Sequence, residues 1–164
     1  MPQPRIIQAK VVDIECGDNV TIIEPSNVYG CTLQNDVFIG PYVEIQKNTV
    51  IGERTKVQSH SFICEYVTVG ADCFIGHGVM FANDLFKGGE PDPDPDNWGR
   101  TVIEDKVTIG SNATILPVRI CSGSVIGAGS VVTKDITEKG IYAGNPAKML
   151  RALPVRDKYV CRKV

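Results

Sequence analysis

The sequence predicts an all-β protein in which short strands and corners wind into a solenoid of stacked coils. Three observations predict it: an apolar residue recurs at every sixth position, a small or β-branched residue precedes it by two, and glycine often follows it. At 43% hydrophobic content, nine such positions in a row would arise by chance with a probability of roughly 0.0005. The nine are Leu33, Ile39, Ile45, Ile51, Val57, Ile63, Val69, Ile75 and Phe81.

A period of six fits neither a helix nor an ordinary long strand. A helix has 3.6 residues per turn, so a six-residue pattern would scatter around its axis. A strand alternates its faces every two residues, so the apolar residue and the residue two before it both point inward. The repeat unit is therefore a strand of about four residues followed by a corner, where glycine and asparagine suit positive φ. Successive coils then hydrogen-bond about 4.8 Å apart.

The repeat covers most of the chain and has one long interruption. Upstream it includes Ile22 and Val28, with a five-residue step to Leu33, and residues before Ile22 are expected to form a less regular first coil. It resumes at Ile103 and slips once more by a residue after Ile115. We therefore expect one domain over residues 1–164, with a loop insertion at 82–100 and a short, partly helical C-terminal cap at 137–164.

Composition excludes several classes of protein. The 164-residue chain has 17 basic and 19 acidic residues, a net charge of −2, whereas a nucleic-acid binder needs a basic face. No stretch of about 20 apolar residues predicts a membrane span. The first ten residues have no apolar signal region, so we expect a cytoplasmic protein with six free thiols and no CxxC metal site.

Coil arithmetic brings polar residues together at the start of the loop. Glu65 and Asn83 are separated by three six-residue repeats, and the family resemblance described below implies three repeats per coil. They should therefore occupy the same corner on successive coils, and Asp84 follows at once. The two histidines of the chain, His60 and His77, are separated by one position less and should also lie on adjacent coils. A carboxylate, an amide and a second carboxylate at a loop base predict a polar cleft, because long loops in compact domains are usually functional.

Structural roles remain open for several of these residues. Asn83 could form an asparagine ladder or begin the turn of the loop, and His77 could be a corner residue. The three aspartates of the loop tip resemble calcium ligands, but the alternating prolines give a poor geometry for such a site, and no metal is expected. The tip is expected to be an extended, solvated excursion. The three aspartates are Asp92, Asp94 and Asp96.

Longer segments resemble a known family. QSHSFICEYVTVGADCFIGHGVMFAND, the segment TVIEDKVTIGSNATILPVRICSGSVIGAGSVVTKDI and AGNPAKMLR are similar to the hexapeptide-repeat acyltransferases. The FAND motif with its loop is most similar to the N-acetyltransferases of nucleotide-linked 3-amino sugars. The resemblance implies a left-handed parallel β-helix with three hexapeptides per coil and a homotrimer with sites at the subunit junctions. It also implies acetyl-CoA as co-substrate and a dTDP- or UDP-linked amino sugar as acceptor.

The resemblance also assigns roles to residues. It implies that Asn83 and Asp84 hold the sugar amine and that Glu65 flanks it. It implies that coenzyme A lies along the later coils, where small residues permit close approach and two cations meet the phosphates. For the glycines among them, corner geometry alone is an equal alternative. The predicted coenzyme A residues are Gly110, Ser111, Gly127, Ala128, Lys148 and Arg151.

The proton acceptor of such a reaction stays open. The leaving thiolate is a competent final base, so Asp84 and Glu65 need only orient the amine. Alternatively His60 or His77 acts as general base, because imidazole titrates near neutral pH. A backbone N–H in the turn after Ile75 is a candidate oxyanion donor.

Three rival functions are compatible with the same coils. A carbonic anhydrase of this architecture needs three zinc-binding histidines, and this chain has two. A non-catalytic scaffold predicts no acetyl-CoA-dependent thiol release with any amine acceptor. Acetylation of a hydroxyl would be expected to use a histidine base and would leave the carboxylates unexplained.

Overall fold

The computed structural model describes residues 8–153, which form a prism whose three faces are sheets, parallel throughout except for the last strand. The strands are short, mostly two residues, against the four expected. The first sheet contains β1 (Val11–Val12), β4 (Asn27–Tyr29), β7 (Glu44–Ile45), β10 (Phe62–Ile63), β13 (Met80–Phe81), β16 (Thr114–Ile115) and β19 (Val131–Val132). The second contains β2 (Glu15–Cys16), β5 (Thr32–Leu33), β8 (Val50–Ile51), β11 (Val67–Val69), β14 (Thr101–Ile103) and β17 (Arg119–Ile120). The third contains β3 (Thr21–Ile22), β6 (Phe38–Ile39), β9 (Lys56–Val57), β12 (Phe74–Ile75), β15 (Thr108–Ile109), β18 (Val125–Ile126), β20 (Gly140–Ala143) and β21 (Lys148–Ala152).

The register of the sheets follows the repeat. In the central coils each residue pairs with the one three repeats further on, as Glu44 with Phe62 and Phe62 with Met80. Near both ends the spacing is one position shorter, as for Asn27 with Glu44, because each five-residue step shortens a coil by one residue. Met80 pairs with Thr114, a much larger separation, because the loop is inserted within that coil. The predicted solenoid is confirmed.

The core consists of the apolar ladders that the six-residue period predicts. All nine residues of the ladder from Leu33 to Phe81 are at most 2% exposed. At several positions where the residue two before the apolar one is polar, its hydroxyl donates to a carbonyl of the neighbouring coil. Thr49 donates to the Cys64 oxygen at 3.1 Å, and Ser61 donates to the Gly76 oxygen at 2.9 Å. These bonds satisfy buried hydroxyls that would otherwise be costly.

Glycine has two different roles at the corners. Positive φ falls three residues after the apolar position, at residues such as Asn48 (61°) and His60 (64°). The glycine directly after the apolar residue is instead required by close approach of the next coil. A Cβ on Gly52 would lie 2.3 Å from the carbonyl carbon of Gly70. The predicted positive φ at corner glycine and asparagine is confirmed at residues such as Gly78 (64°) and Asn48, whereas Gly52 lacks a side chain because of backbone contact.

The C-terminal cap is a β-hairpin. β20 pairs in parallel with β18 and antiparallel with β21, and Gly144 turns between them with φ of 99°. Residues 137–153 contain no helix, because they pair as strands with the last coil and with each other. Residues 154–164 lie outside the described part, so the helical part of the predicted cap stays a prediction. In residues 8–153 no helix has the length and apolarity to cross a membrane.

Candidate active site

The loop leaves the prism at the corner that follows the first sheet. We call this the loop corner, formed by residues 46–49, 64–66 and 82–100. The Asn83 side-chain nitrogen donates to the Glu65 backbone oxygen at 3.4 Å, so the predicted stacking of these two residues is confirmed. The Gly99 N–H donates to the Asn83 oxygen at 2.7 Å, which closes the base of the loop.

The Glu65 carboxylate faces the preceding coil. Its side chain is 12% exposed, with Lys47 Nζ at 3.8 Å and Asn48 Nδ2 at 3.4 Å. The contact between Glu65 and Asn83 therefore uses a backbone oxygen and not the carboxylate. Sequence reasoning missed Lys47, although coil arithmetic could have found it, since it lies exactly one coil of three repeats before Glu65.

Asp84 directs both carboxylate oxygens into the loop. Oδ1 accepts the Phe86 N–H at 2.8 Å and Oδ2 accepts the Asp92 N–H at 2.8 Å. The Asp84 side chain is half-buried, whereas Phe86 is 56% exposed. Asp84 thus lies beside Asn83 as predicted, but the described residues already supply one donor to each of its oxygens.

The loop tip is ordered by its aspartates. Asp92 accepts from the Asp94 N–H and Asp94 accepts from the Asp96 N–H, each at 3.0 Å, and a 3₁₀ helix spans Pro95–Asn97. The expectation of a simple extended excursion was wrong, because aspartate side chains compete well for nearby backbone donors. Within residues 8–153 no group of three His, Cys, Asp or Glu side chains is arranged to hold a metal ion.

A pocket of about 170 Å³ opens at the base of the loop. It includes two predicted residues, Asn83 and Asp84, and also Lys87, which sequence reasoning did not select. Its volume is below the range of about 300–1,000 Å³ usual for drug-sized ligands, so it fits one part of a larger molecule. The lining residues are Asn83, Asp84, Leu85, Lys87, Asp92, Asn97 and Gly99.

Aromatic side chains near the loop corner are engaged within the chain. The Trp98 indole N–H donates to the Asp92 oxygen at 3.0 Å, and the Arg100 guanidinium lies 4.7 Å from the Tyr66 ring centroid. Burial, together with the charges of nearby Glu44 and Glu65, raises the pKa of Tyr29. The loop corner is therefore rich in carboxylates and aromatic rings.

The histidines lie at a different corner. We call this the histidine corner, formed by residues 58–61, 76–79 and 110–113, which precede the strands of the first sheet. His77 Nδ1 is 3.0 Å from Ser59 Oγ, and His60 stacks on Tyr42 with ring centroids 4.9 Å apart. Strand β10 lies between His60 and Glu65. Within a single chain the histidines are therefore at a different corner from the loop corner.

The turn after Ile75 offers fewer free donors than expected. The Gly76 N–H donates to the Ile109 oxygen at 2.8 Å, and the Gly78 N–H donates to the Ser59 oxygen at 3.0 Å. Both amides therefore hold coils together. Neither glycine amide is therefore free to act as the oxyanion donor, and a donor elsewhere in this turn stays a prediction.

The glycines predicted for coenzyme A have a structural explanation. A Cβ on Gly110 would lie 2.5 Å from the Ala128 nitrogen, and one on Gly127 would lie 2.9 Å from the Ala143 Cβ. Close coil stacking therefore accounts for both glycines without a ligand. Ser111 and Ala128 lie at the same corner on successive coils, because the Gly129 N–H donates to the Ser111 oxygen at 2.8 Å.

The two predicted cations lie on the terminal hairpin. Lys148 is paired with Ala143 and Arg151 with Ile141, and both basic side chains are exposed. Since Ala143 contacts Gly127, Lys148 lies beside the corner that carries Gly127, whereas Arg151 lies further along the hairpin. The structure thus brings Lys148 close to the predicted coenzyme A surface.

Two parts of the chain match family models of hexapeptide repeats. Residues 30–65 match "Bacterial transferase hexapeptide (six repeats)", and residues 100–134 match "Hexapeptide repeat of succinyl-transferase". A 2,3,4,5-tetrahydropyridine-2,6-dicarboxylate N-acetyltransferase of Clostridium perfringens is 47% identical over 58 residues, 35% of this chain. The chain spans about a quarter of the length of the curated relatives it matches.

Solved structures share the fold over most of the chain. A hexapeptide-repeat acetyltransferase of Vibrio cholerae O1 biovar eltor, complexed with acetyl coenzyme A, has 26% identity and a TM-score of 0.62, covering 84% of this chain and 70% of its own. A perosamine N-acetyltransferase mutant of Caulobacter crescentus, solved with CoA and GDP-perosamine, has 22% identity and a TM-score of 0.68. The match covers 79% of this chain and 55% of that protein.

The stacked parallel coils and the two segments that match hexapeptide-repeat models together define the class of fold. The chain folds into a parallel β-helix of six-residue repeats, and residues 30–65 and 100–134 match models of hexapeptide repeats. One solved neighbour is a hexapeptide-repeat acetyltransferase complexed with acetyl-CoA, and another is a perosamine N-acetyltransferase mutant complexed with CoA.

Proposed function

We propose that the protein transfers an acetyl group from acetyl-CoA to the amino group, at C3, of a dTDP- or UDP-linked amino deoxysugar. The observation that carries the proposal is the pocket at the loop corner, where the Asn83 amide is fixed by the Glu65 oxygen. The likeness to acetyltransferase structures supports the donor, because these neighbours were solved with CoA or acetyl-CoA. A neighbour with the same fold was solved with GDP-perosamine, so coils of this kind can accommodate a nucleotide-linked sugar.

Charge supports an amine in the pocket. Residues 82–100 contain five acidic and two basic residues, so the loop favours a cationic group and repels phosphates. We infer that the amino end of the sugar enters the pocket while the nucleotide extends away from it. This orientation also explains why a volume of about 170 Å³ suffices.

The reaction requires a neutral amine next to the thioester. The ammonium first loses a proton to water, and its nitrogen then forms a bond to the thioester carbonyl carbon. As the tetrahedral adduct collapses, the carbon–sulfur bond breaks and the leaving thiolate takes the second proton of the nitrogen. The Asn83 amide oxygen accepts a hydrogen bond from the amine and orients its lone pair. Such positioning supplies several kcal/mol of the barrier reduction, as effective molarities show.

Coenzyme A is proposed to lie along the late coils near Ala128, with its phosphates toward Lys148 and Arg151. Exposed cations at the hairpin suit the phosphates. Within a single chain this surface and the loop corner lie at different corners of the prism. A second subunit is therefore needed to bring donor and acceptor together. This need supports the homotrimer that the sequence resemblance implies, since cyclic packing repeats one junction three times.

A thiol-release assay over a panel of dTDP- and UDP-amino sugars tests the activity. We expect release with at least one amine and none with the corresponding hydroxyl sugar. Asn83→Ala should lower turnover by about 100-fold, because loss of orientation at the reacting atom has effects of this size. His77→Asn is the matched control and should keep its turnover. The absence of release with every acceptor would leave a scaffold role.

One observation favours a second candidate, acetylation of a hydroxyl group. Ser59 Oγ lies 3.0 Å from His77 Nδ1 and could hold this imidazole in the orientation of a general base. This candidate predicts the opposite result in the same assay. His77→Asn would be inactive, Asn83→Ala would stay active, and the hydroxyl acceptors would react.

A further inference from the structure

Asp84 joins two parts of the loop that are distant in sequence. Its Oδ1 accepts the Phe86 N–H, which is a local turn that aspartate commonly makes. Its Oδ2 accepts the Asp92 N–H, eight residues on, and a local turn does not explain this bond. Because Pro91 and Pro93 lack an N–H, Asp92 supplies the sole backbone donor among residues 91–93.

The same bonds continue around the loop to Asn83. The Asp92 oxygen accepts the Trp98 indole N–H at 3.0 Å. The next residue, Gly99, donates its N–H to the Asn83 oxygen at 2.7 Å. Asp84, Asp92, Trp98 and Asn83 therefore form a closed circuit of bonds and peptide links. We call these four residues the loop clasp.

The loop clasp encloses the pocket. Asn83, Asp84 and Asp92 line the pocket, and Gly99 completes its wall. If the bond from Asp84 to Asp92 were lost, one hydrogen bond of the clasp would still join the outgoing and returning halves of the loop. It is the backbone bond from the Gly99 N–H to the Asn83 oxygen. A longer unclosed loop has more conformations to lose when it orders.

We propose that Asp84 is a positioning residue that acts through the loop clasp and does not touch the amine. Its carboxylate holds the returning half of the loop and thereby fixes the pocket wall around Asn83. The kinetic part of this inference rests on the proposed function, whereas the structural part does not. It assigns to Asp84 a role different from the amine contact that the sequence resemblance implies.

The fluorescence of a tryptophan in the clasp can be used to test it. Trp98 is the only tryptophan, so its fluorescence measures the environment of one clasp bond without any substrate. In Asp84→Asn one oxygen becomes an NH₂ group, so a single oxygen remains for the Phe86 and Asp92 N–H groups and both bonds cannot be kept. Loss of a hydrogen bond of this strength shifts the equilibrium between closed and open loop about tenfold. We expect stronger quenching of Trp98 by acrylamide and a red-shifted emission.

Asp96→Asn is the matched control. It makes the same charge change in the same loop, and in residues 8–153 the Asp96 carboxylate accepts no hydrogen bond. Its Trp98 quenching should equal that of the unmodified protein. An unchanged far-UV circular dichroism spectrum checks that the coils of each variant are folded. Equal quenching in Asp84→Asn and Asp96→Asn would overturn the clasp.

Trp98→Phe separates positioning from direct contact in the acetyl transfer assay. It removes the indole bond to Asp92 and leaves the Asp84 carboxylate in place. A positioning role predicts that Asp84→Asn and Trp98→Phe both raise KM for the acceptor, by a similar factor. If Asp84→Asn abolishes kcat while Trp98→Phe behaves normally, Asp84 contacts the reacting amine and the inference is wrong. Should no acceptor be found, the fluorescence comparison still decides the clasp.

Discussion

Thr55 offers the sharpest test of how the coils are held together. It is fully buried, its hydroxyl donates to the Gly70 oxygen at 2.8 Å, and the hydroxyl oxygen of Thr55 accepts the Cys73 N–H at 2.9 Å. One hydroxyl thus joins its own coil to the next by two bonds. Thr55→Val keeps the shape and removes both. Valine occupies the equivalent inward position elsewhere, for example Val37 and Val43, so the site tolerates its volume.

The expected loss follows from the groups left without partners. Two lost bonds and two buried backbone groups without partners cost about 2–5 kcal/mol. The additional buried methyl returns about 1 kcal/mol. We therefore expect Thr55→Val to lower the free energy of unfolding by about 1–4 kcal/mol, measured by denaturant unfolding with far-UV circular dichroism.

Thr68→Val is the matched control for this prediction. Thr68 lies exposed on the second sheet, and its hydroxyl makes no bond in the part of the chain that the structure describes. The same chemical change should alter the free energy of unfolding by less than about 0.5 kcal/mol. The reasoning fails if both variants lose equal stability, or if Thr55→Val unfolds at the same denaturant concentration as the parent.

Two glycines and three cysteines give further predictions. Gly52→Ala should lower the free energy of unfolding by at least about 2 kcal/mol because its Cβ would meet backbone of the next coil, whereas Gly88→Ala, with open space around it, should be near neutral in the same unfolding experiment. Burial raises the pKa of the Cys31 and Cys64 thiols from 9.0 to about 11 and about 12. These thiols ionise at a lower pH in the unfolded protein than in the folded protein, so the free energy of unfolding should fall as the pH rises from about 9 toward 11. An unfolding midpoint that stays constant over this pH range would contradict the prediction. At pH 8 the native protein should react with a thiol reagent at exposed Cys16 and leave both buried thiols unmodified, as mass spectrometry of the labelled peptides would show.

The six-residue period was sufficient to predict the fold because packing in a solenoid is local. Each coil contacts only its neighbours, so the inward ladder can be identified directly from the spacing. Counting three repeats per coil likewise predicted that Asn83 lies over Glu65, and the same count predicts Lys47 beneath it. The handedness expected for the coils and the count of three repeats per coil came from the resemblance to a family and not from the spacing.

The sequence alone determined which residues face inward, where the coils are interrupted and which polar residues share a corner. The tertiary structure decided where the side chains point: the Glu65 carboxylate toward the preceding coil, and Asp84 across the loop to Asp92. It also separated the histidines from the loop corner by the width of a sheet. The physical reason is that a repeat fixes backbone position by short-range periodicity. Hydrogen bonds between side chains and an irregular loop depend on contacts that no period encodes.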